Sequence, residues 1–120
     1  MKKILLADDD PRLRKLVAIT LGDDFTILQA ADGEETLRIA QQEKPDLILL
    51  DIRMPKLDGF EVCSRLKANP LTSGVKVIML TALSSDSDKI QARKAGADDY
   101  FVKPFSPRAL LDKVNQILLE

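Results

Sequence analysis

The feature that most limits the fold is the alternation of short apolar runs with helix-like segments. Apolar-rich runs of strand length occur at residues 4–7, 47–50 and 75–80, and weaker ones at 25–30 and 99–102. Between them, apolar residues recur every three or four positions, a spacing typical of amphipathic helices. The sequence therefore predicts five β-strands, each followed by a helix.

Five such units specify a fold class. Right-handed crossovers make the sheet parallel and place helices on both of its faces. The common small arrangement is the flavodoxin-like doubly wound (βα)5 fold, whose five strands are ordered 2-1-3-4-5. Its strand order reverses between strands 1 and 3, where such folds place their binding sites.

The sequence also indicates where the helices begin and which of their residues face the core. Asp10, followed by a proline, is expected to cap the first helix, and the second and third helices are expected to begin at Asp32 and Asp58. The fourth helix, residues 86–95, has Ile90 as its only large apolar residue, so it should be among the less stable elements. The residues predicted to face the core are Leu13, Leu16, Val17 and Leu21 in the first helix, Phe60, Cys63 and Leu66 in the third, and Leu110, Leu111, Val114, Ile117 and Leu118 in the fifth.

Composition excludes several classes of function. The chain of 120 residues is expected to be one domain, 1–120, with no output domain. Its net charge of −1 indicates no direct nucleic-acid binding, and no apolar stretch is long enough to span a membrane. A single cysteine suits a reducing cytoplasm. The absence of histidine means that any metal should be a hard cation bound by oxygen.

Chemically active side chains stand at the ends of four predicted strands. Asp8 and Asp9 follow the first strand, Asp51 ends the third, Thr81 ends the fourth and Lys103 follows the fifth. Because the carboxyl ends of parallel strands share one rim, these side chains should lie close together. Carboxylates suit Mg²⁺, and a hydroxyl with an ammonium suits a phosphoryl group.

Each residue also has an ordinary interpretation. A strand-end aspartate or threonine such as Asp51 or Thr81 commonly starts a turn, and Lys103 could be solvated. Asp8 and Asp9 could form a solvated loop, but each like-charged pair at ~5 Å costs roughly 3 kcal/mol at an effective dielectric constant near 20. A bound Mg²⁺ would reverse that penalty. The peptide bond from Lys103 to the following proline is a candidate for the cis isomer.

Over residues 3 to about 119 the chain resembles the receiver domain of two-component response regulators. Four segments carry the resemblance in order: KILLADDD at 3–10, PDLILLDIRMPKLDG at 45–59, LTA at 80–82 and GADDYFVKPF at 96–105. Each segment alone is moderate support for this resemblance, whereas all four in order at strand ends are strong support.

The resemblance implies a role for each site residue. Asp51 would accept a phosphoryl group from a phosphohistidine of a sensor histidine kinase or a phosphotransfer protein. Asp9 would bind Mg²⁺ (or Mn²⁺) directly and Asp8 mainly through water, while Asp51 and the backbone carbonyl of Arg53 complete the protein ligands. Lys103 would contact the phosphoryl group.

The resemblance also implies a switch and a downstream partner. Thr81 would move toward the phosphoryl group and Tyr100 would turn into the vacated space, which carries the signal to the face of the fourth helix, fifth strand and fifth helix. That face would act on an output domain or a separate protein. Homodimerisation through it stays open, because Asp99 and Lys113 match a cross-dimer ion pair whereas Arg93 stands where an apolar residue is usual.

Three functions compete for this chain. The first is a signalling domain that catalyses only its own phosphorylation and dephosphorylation. The second is a haloacid-dehalogenase-like phosphatase, which the proline after Asp10 and the absence of a cap domain disfavour. The third is an adaptor that needs no phosphorylation, which the complete site disfavours. A further hypothesis is that the side chains of Arg53 and Leu83 slow dephosphorylation.

Overall fold

The predicted alternation of strands and helices is present in a computed structural model, which describes residues 1–82 and 86–118. The strands are β1 (Lys3–Ala7), β2 (Thr26–Ala30), β3 (Leu47–Asp51), β4 (Lys76–Thr81) and β5 (Asp99–Val102). The helices are α1 (Pro11–Leu21), α2 (Gly33–Glu43), α3 (Gly59–Ala68), α4 (Asp86–Lys94) and α5 (Pro107–Leu118). A 3-10 turn that the sequence pattern did not indicate, Gly22–Asp24, follows α1.

All five strands are parallel and lie in the order β2-β1-β3-β4-β5, which confirms the predicted fold class. In the register, Ala7 pairs with Leu50, and Thr81 pairs with Val102. The carboxyl ends of β1, β3, β4 and β5 therefore lie along one edge of the sheet.

The sheet separates two apolar layers. Residues of α2, α3 and α4 cover one face and residues of α1 and α5 cover the other. Successive residues of β1, β3 and β4 alternate between these layers, which explains why their sequences are apolar without interruption. One layer includes Leu5, Ile48, Val77, Ala40, Val62 and Ala92, and the other includes Ile4, Leu47, Ile78, Val17 and Leu110.

The predicted cap at Asp10 is present, and the structure shows that Asp32 and Asp58 cap their helices in the same way. The Asp10 side chain accepts a hydrogen bond from the Arg12 amide at 2.9 Å, and Asp32 and Asp58 likewise begin α2 and α3. Gly22 follows α1 with a φ of 67°, a backbone conformation that glycine tolerates best.

The predicted buried stripes are correct only in part. Leu16 of α1 is 48% exposed, because the sheet covers the side of the helix that carries Val17 and Leu21. In α3 the structure adds Val62, which is fully buried. In α4 Ile90 is 54% exposed, so little apolar area anchors that helix and its predicted low stability stays a prediction.

The fifth helix buries a narrower face than its sequence suggests. Leu110 and Val114 are fully buried, whereas Leu111, Ile117 and Leu118 are only half-buried.

Among the described helices, none has the length and apolar character needed to cross a membrane.

Candidate functional site

Three carboxylates meet where β1 and β3 end. Asp8 and Asp9 follow β1, and Asp51 is the last residue of β3. One oxygen of each carboxylate lies within 4.8 Å of the others. Asp8 and Asp51 are buried, at 4% and 7% exposure, whereas Asp9 is exposed. Oxygen ligands around one point, with one side open to solvent, fit a hard divalent cation such as Mg²⁺.

The ammonium group of Lys103 lies between the two buried carboxylates. Its Nζ is 2.8 Å from Oδ2 of Asp8 and 3.5 Å from Oδ1 of Asp51. Burial opposes the charged ammonium, but the hydrogen bond to Asp8 and the charge of Asp51 outweigh it and raise the pKa of Lys103. The Lys103 amide donates to the Thr81 carbonyl at 2.6 Å, and the Lys103-Pro104 bond is cis, as expected.

The surroundings of Asp51 oppose its ionisation. Burial and then the charge of Asp8 raise the pKa of Asp51 from 3.8 to about 6. Lys103 and the Arg53 amide, which lies 3.4 Å from Oδ1 of Asp51, act in the opposite direction. At neutral pH the Asp51 carboxylate is ionised, but Lys103 and the Arg53 amide do not fully offset its burial and its repulsion by Asp8. A bound cation would therefore stabilise the ionised carboxylate.

The acidic turn, residues 8–10, is held by hydrogen bonds at its start and its end. The Asp10 amide donates to Oδ1 of Asp8 at 2.9 Å. From α1, Nη1 of Arg14 donates to the backbone carbonyl of Asp8 at 2.6 Å, and Nε of Arg14 donates to Oε1 of Gln29 at 3.1 Å. The sequence did not indicate this role for Arg14, because its acceptor is a backbone carbonyl. Every residue has a backbone carbonyl, so no sequence pattern distinguishes the one that is bonded.

The loop after Asp51 is packed closely against the end of β3. The Gly59 amide donates to the Ile52 carbonyl at 2.7 Å. A Cβ on Gly59 would overlap the backbone carbonyl of Asp51, so the start of α3 can approach the end of β3 this closely only with glycine there. Arg53, in the same loop, is exposed.

The two predicted switch residues are diagonal neighbours on adjacent strands, since Thr81 pairs with Val102, two residues after Tyr100. Thr81 ends β4 and is buried, and Tyr100 on β5 is half-buried. Burial, followed by the charge of Asp88, raises the pKa of Tyr100, whereas a side-chain hydrogen bond with Thr81 lowers it. The structure therefore joins the strand-end hydroxyl to the aromatic residue on the neighbouring strand.

The two charged residues matched to a dimer contact form an ion pair within one chain. Nζ of Lys113 is 3.0 Å from Oδ2 of Asp99 within one chain, so this pair also exists without a second copy. Arg93 is exposed on α4. Leu83 lies outside the described residues.

Comparisons with known proteins agree with this architecture. A sequence model described as the response regulator receiver domain matches residues 4–115. The DNA-binding dual master transcriptional regulator RpaA of Synechocystis sp. is 45% identical over 119 residues, which are 98% of this chain and 49% of that protein. The chain thus spans about half the length of the curated relatives it matches.

Solved structures match over the whole fold. A putative response regulator from Chloroflexus aurantiacus superposes with a TM-score of 0.93 at 36% identity, covering 99% of this chain and 98% of that one. The receiver domain of DrrB from Thermotoga maritima, activated by BeF3, gives a TM-score of 0.91 at 34% identity, covering 100% and 99%. These similarities confirm the resemblance seen in the sequence.

Proposed function

This chain belongs to the response regulator receiver domain family, and we propose that Asp51 is the residue that accepts the phosphoryl group. Its function is signal transduction as the receiver of a response regulator. The observation that carries the assignment is the position of Asp51: a buried carboxylate with a raised pKa, beside Asp8 and within 3.5 Å of the Lys103 ammonium.

A divalent cation belongs to this proposal. Asp8, Asp9, Asp51 and the backbone carbonyl of Arg53 would hold Mg²⁺ or Mn²⁺. When bound, the ion supplies positive charge against the phosphoryl oxygens. The oxygen-only donor set and the absence of histidine support a hard cation.

The transfer requires positioning more than acid–base chemistry. A carboxylate oxygen of Asp51 attacks the phosphorus of a phosphohistidine on a partner kinase or phosphotransfer protein. The new O–P bond forms as the N–P bond breaks, and the histidine nitrogen keeps the electron pair. Lys103 then pairs with a phosphoryl oxygen and Thr81 donates to another.

Hydrolysis ends the signal. Water attacks the phosphorus, which returns the Asp51 carboxylate and inorganic phosphate. The domain thus catalyses only reactions of its own acceptor, which distinguishes it from a phosphatase that turns over a separate substrate. A side chain at Arg53, exposed in the loop after the acceptor, would slow the approach of that water.

We further propose that the Thr81–Tyr100 contact transmits the state of the site. Movement of Thr81 toward the phosphoryl group would break its hydrogen bond with Tyr100 and let the ring turn inward. The face formed by α4, β5 and α5 would then change its affinity for an output domain or protein. The name of the relative RpaA describes a DNA-binding regulator, which favours a transcriptional output in the cytoplasm.

Dimerisation through this face requires one specific exchange. The in-chain Asp99–Lys113 pair would have to reform across the interface, and Arg93 would have to be accommodated. Light scattering with and without beryllium fluoride decides this proposal: a doubled mass with the phosphoryl mimic supports it, and an unchanged mass contradicts it.

Uptake of phosphate from a small donor tests the function. After incubation with acetyl phosphate and Mg²⁺, the intact mass should rise by one phosphoryl group, and EDTA should prevent the gain. Asp51→Asn should abolish it, whereas Asp23→Asn, the same change at an exposed turn, should not. No uptake by folded protein would favour the adaptor, and turnover of a generic phosphate ester would favour the phosphatase.

A further inference from the structure

Arg14 connects three elements around the acidic turn. It belongs to α1, its Nη1 donates to the backbone carbonyl of Asp8 at 2.6 Å, and its Nε donates to Gln29 of β2 at 3.1 Å. Asp8 directly follows Ala7, the last paired residue of β1, and its amide still donates to the Ala30 carbonyl of β2 at 3.1 Å, whereas its own carbonyl is held by Arg14. Arg14 therefore anchors the chain where the metal-binding carboxylates begin.

We infer that Arg14 is a positioning residue, which fixes the acidic turn in the conformation that binds the divalent cation. This inference rests on the proposed function, because it assumes that Asp8 and Asp9 help to hold that cation. Removal of a group that orients a metal ligand typically weakens metal binding by roughly 10- to 100-fold. We use the lower end, about tenfold, because Arg14 acts on the backbone of a ligand residue.

Two further hydrogen bonds fix the Asp8 side chain, so the part of Asp8 that Arg14 can position is its backbone carbonyl. Asp8 accepts the Asp10 amide and the Lys103 ammonium through its two carboxylate oxygens, so its side chain is already oriented. The Asp8 carbonyl belongs to the peptide group that joins Asp8 to Asp9, so a shift of this carbonyl would move Asp9, the exposed ligand next to it. The guanidinium holds that backbone from the helix side, with a short charge-assisted bond.

Electrostatics alone predicts the opposite effect of removing Arg14. A positive charge near a cation site weakens cation binding, so the loss of that charge should strengthen it. Loss of positioning should weaken binding instead. The direction of the change in Mg²⁺ affinity therefore separates the two roles, independently of its size.

Arg12 provides a matched control on the same helix. It carries the same charge two residues earlier, its side chain is 95% exposed, and its Nε lies 3.9 Å from Asp10 rather than on the Asp8 backbone. Arg12→Ala removes charge without removing the anchor. It should leave the Mg²⁺ dissociation constant unchanged within about twofold or lower it.

The experiment is calorimetric titration of the full chain with MgCl₂. Arg14→Ala should raise the dissociation constant about tenfold above that of Arg12→Ala. Arg14→Lys, which keeps the charge and one donor, should recover part of the loss. An Arg14→Ala affinity equal to or tighter than that of Arg12→Ala would overturn the inference. The melting temperature in EDTA shows whether each variant is folded.

A second variant covers the case in which Arg14→Ala does not fold. Gln29→Ala leaves the guanidinium charge in place and removes only its second hydrogen bond, on an exposed side chain. It should raise the dissociation constant about fivefold, as expected for the loss of one hydrogen bond and outside the twofold range of the control. An unchanged affinity would then overturn the inference. Absence of Mg²⁺ binding by the wild-type protein would overturn the proposed metal site together with it.

Discussion

Replacing Asp51 by asparagine should stabilise the metal-free protein at neutral pH. Burial and the charge of Asp8 raise the pKa of Asp51 from 3.8 to about 6. Since one pKa unit corresponds to about 1.4 kcal/mol, a shift of roughly two units corresponds to about 3 kcal/mol of unfavourable free energy when the group is charged. This net shift already includes the opposing attraction of Lys103, whose Nζ lies 3.5 Å from Oδ1 of Asp51, so we expect Asp51→Asn to gain about 2 to 3 kcal/mol.

The gain should depend on pH in a defined direction. The folded state binds the Asp51 proton more tightly than the unfolded chain, so the penalty is absent below the unfolded pKa, near 3.8, and complete above the folded pKa, about 6. The advantage of Asp51→Asn should therefore be largest above pH 7, shrink between pH 6 and 4, and disappear below that window.

Urea unfolding followed by circular dichroism measures this difference in EDTA at several pH values. Asp23→Asn serves as the control, because Asp23 is exposed and far from the β3 end in sequence. Added Mg²⁺ should stabilise the wild-type protein more than Asp51→Asn, which lacks one ligand. A variant less stable than wild type at pH 7.5 in EDTA, or a difference that is the same at every pH, would refute the reasoning.

Lys103→Met removes the cation shared by two buried carboxylates, so the rate of phosphoryl uptake, followed by intact mass, should fall about a hundredfold; an unchanged rate would exclude a role for the lysine in transfer. Gly59→Ala places a Cβ against the carbonyl of Asp51 and should lower the free energy of unfolding in urea by about 2 kcal/mol, whereas a neutral effect would show that the loop yields. Arg53→Ala should shorten the lifetime of the phosphorylated protein several-fold when decay is followed by mass after removal of the donor, and an unchanged lifetime would contradict shielding by this side chain. Burial raises the pKa of the Cys63 thiol to about 11, so iodoacetamide at pH 8 should label it only in urea; labelling of the native protein would show that α3 opens readily.

The fold was predictable because several local signals agree. The apolar runs of β1, β3 and β4 lie between two helical layers, so both of their faces are apolar. Such short, continuous apolar sequences are typical of central parallel strands. Aspartate caps mark the helix starts. The relative positions of Asp8, Asp51 and Lys103 then follow from parallel strand ends, since register places those ends on one edge.

Other features were not predictable because they depend on three-dimensional neighbours. Periodicity assigned Leu16 to the core, but only the packed structure determines how wide a face of α1 the sheet covers. The contact of Arg14 with a backbone carbonyl is invisible in side-chain patterns. The close approach of Gly59 to Asp51 needs the loop conformation, and the raised pKa of Asp51 needs its burial.

The most direct test of the central claim locates the phosphoryl group itself. The phosphorylated protein is treated with sodium borohydride, which reduces an aspartyl phosphate to homoserine, and its peptides are then sequenced by mass spectrometry. The account predicts homoserine at position 51 in the Mg²⁺-treated sample and aspartate there when EDTA replaces Mg²⁺. Homoserine at position 8, 9 or 10 instead of 51 would contradict the assignment of Asp51 as the acceptor.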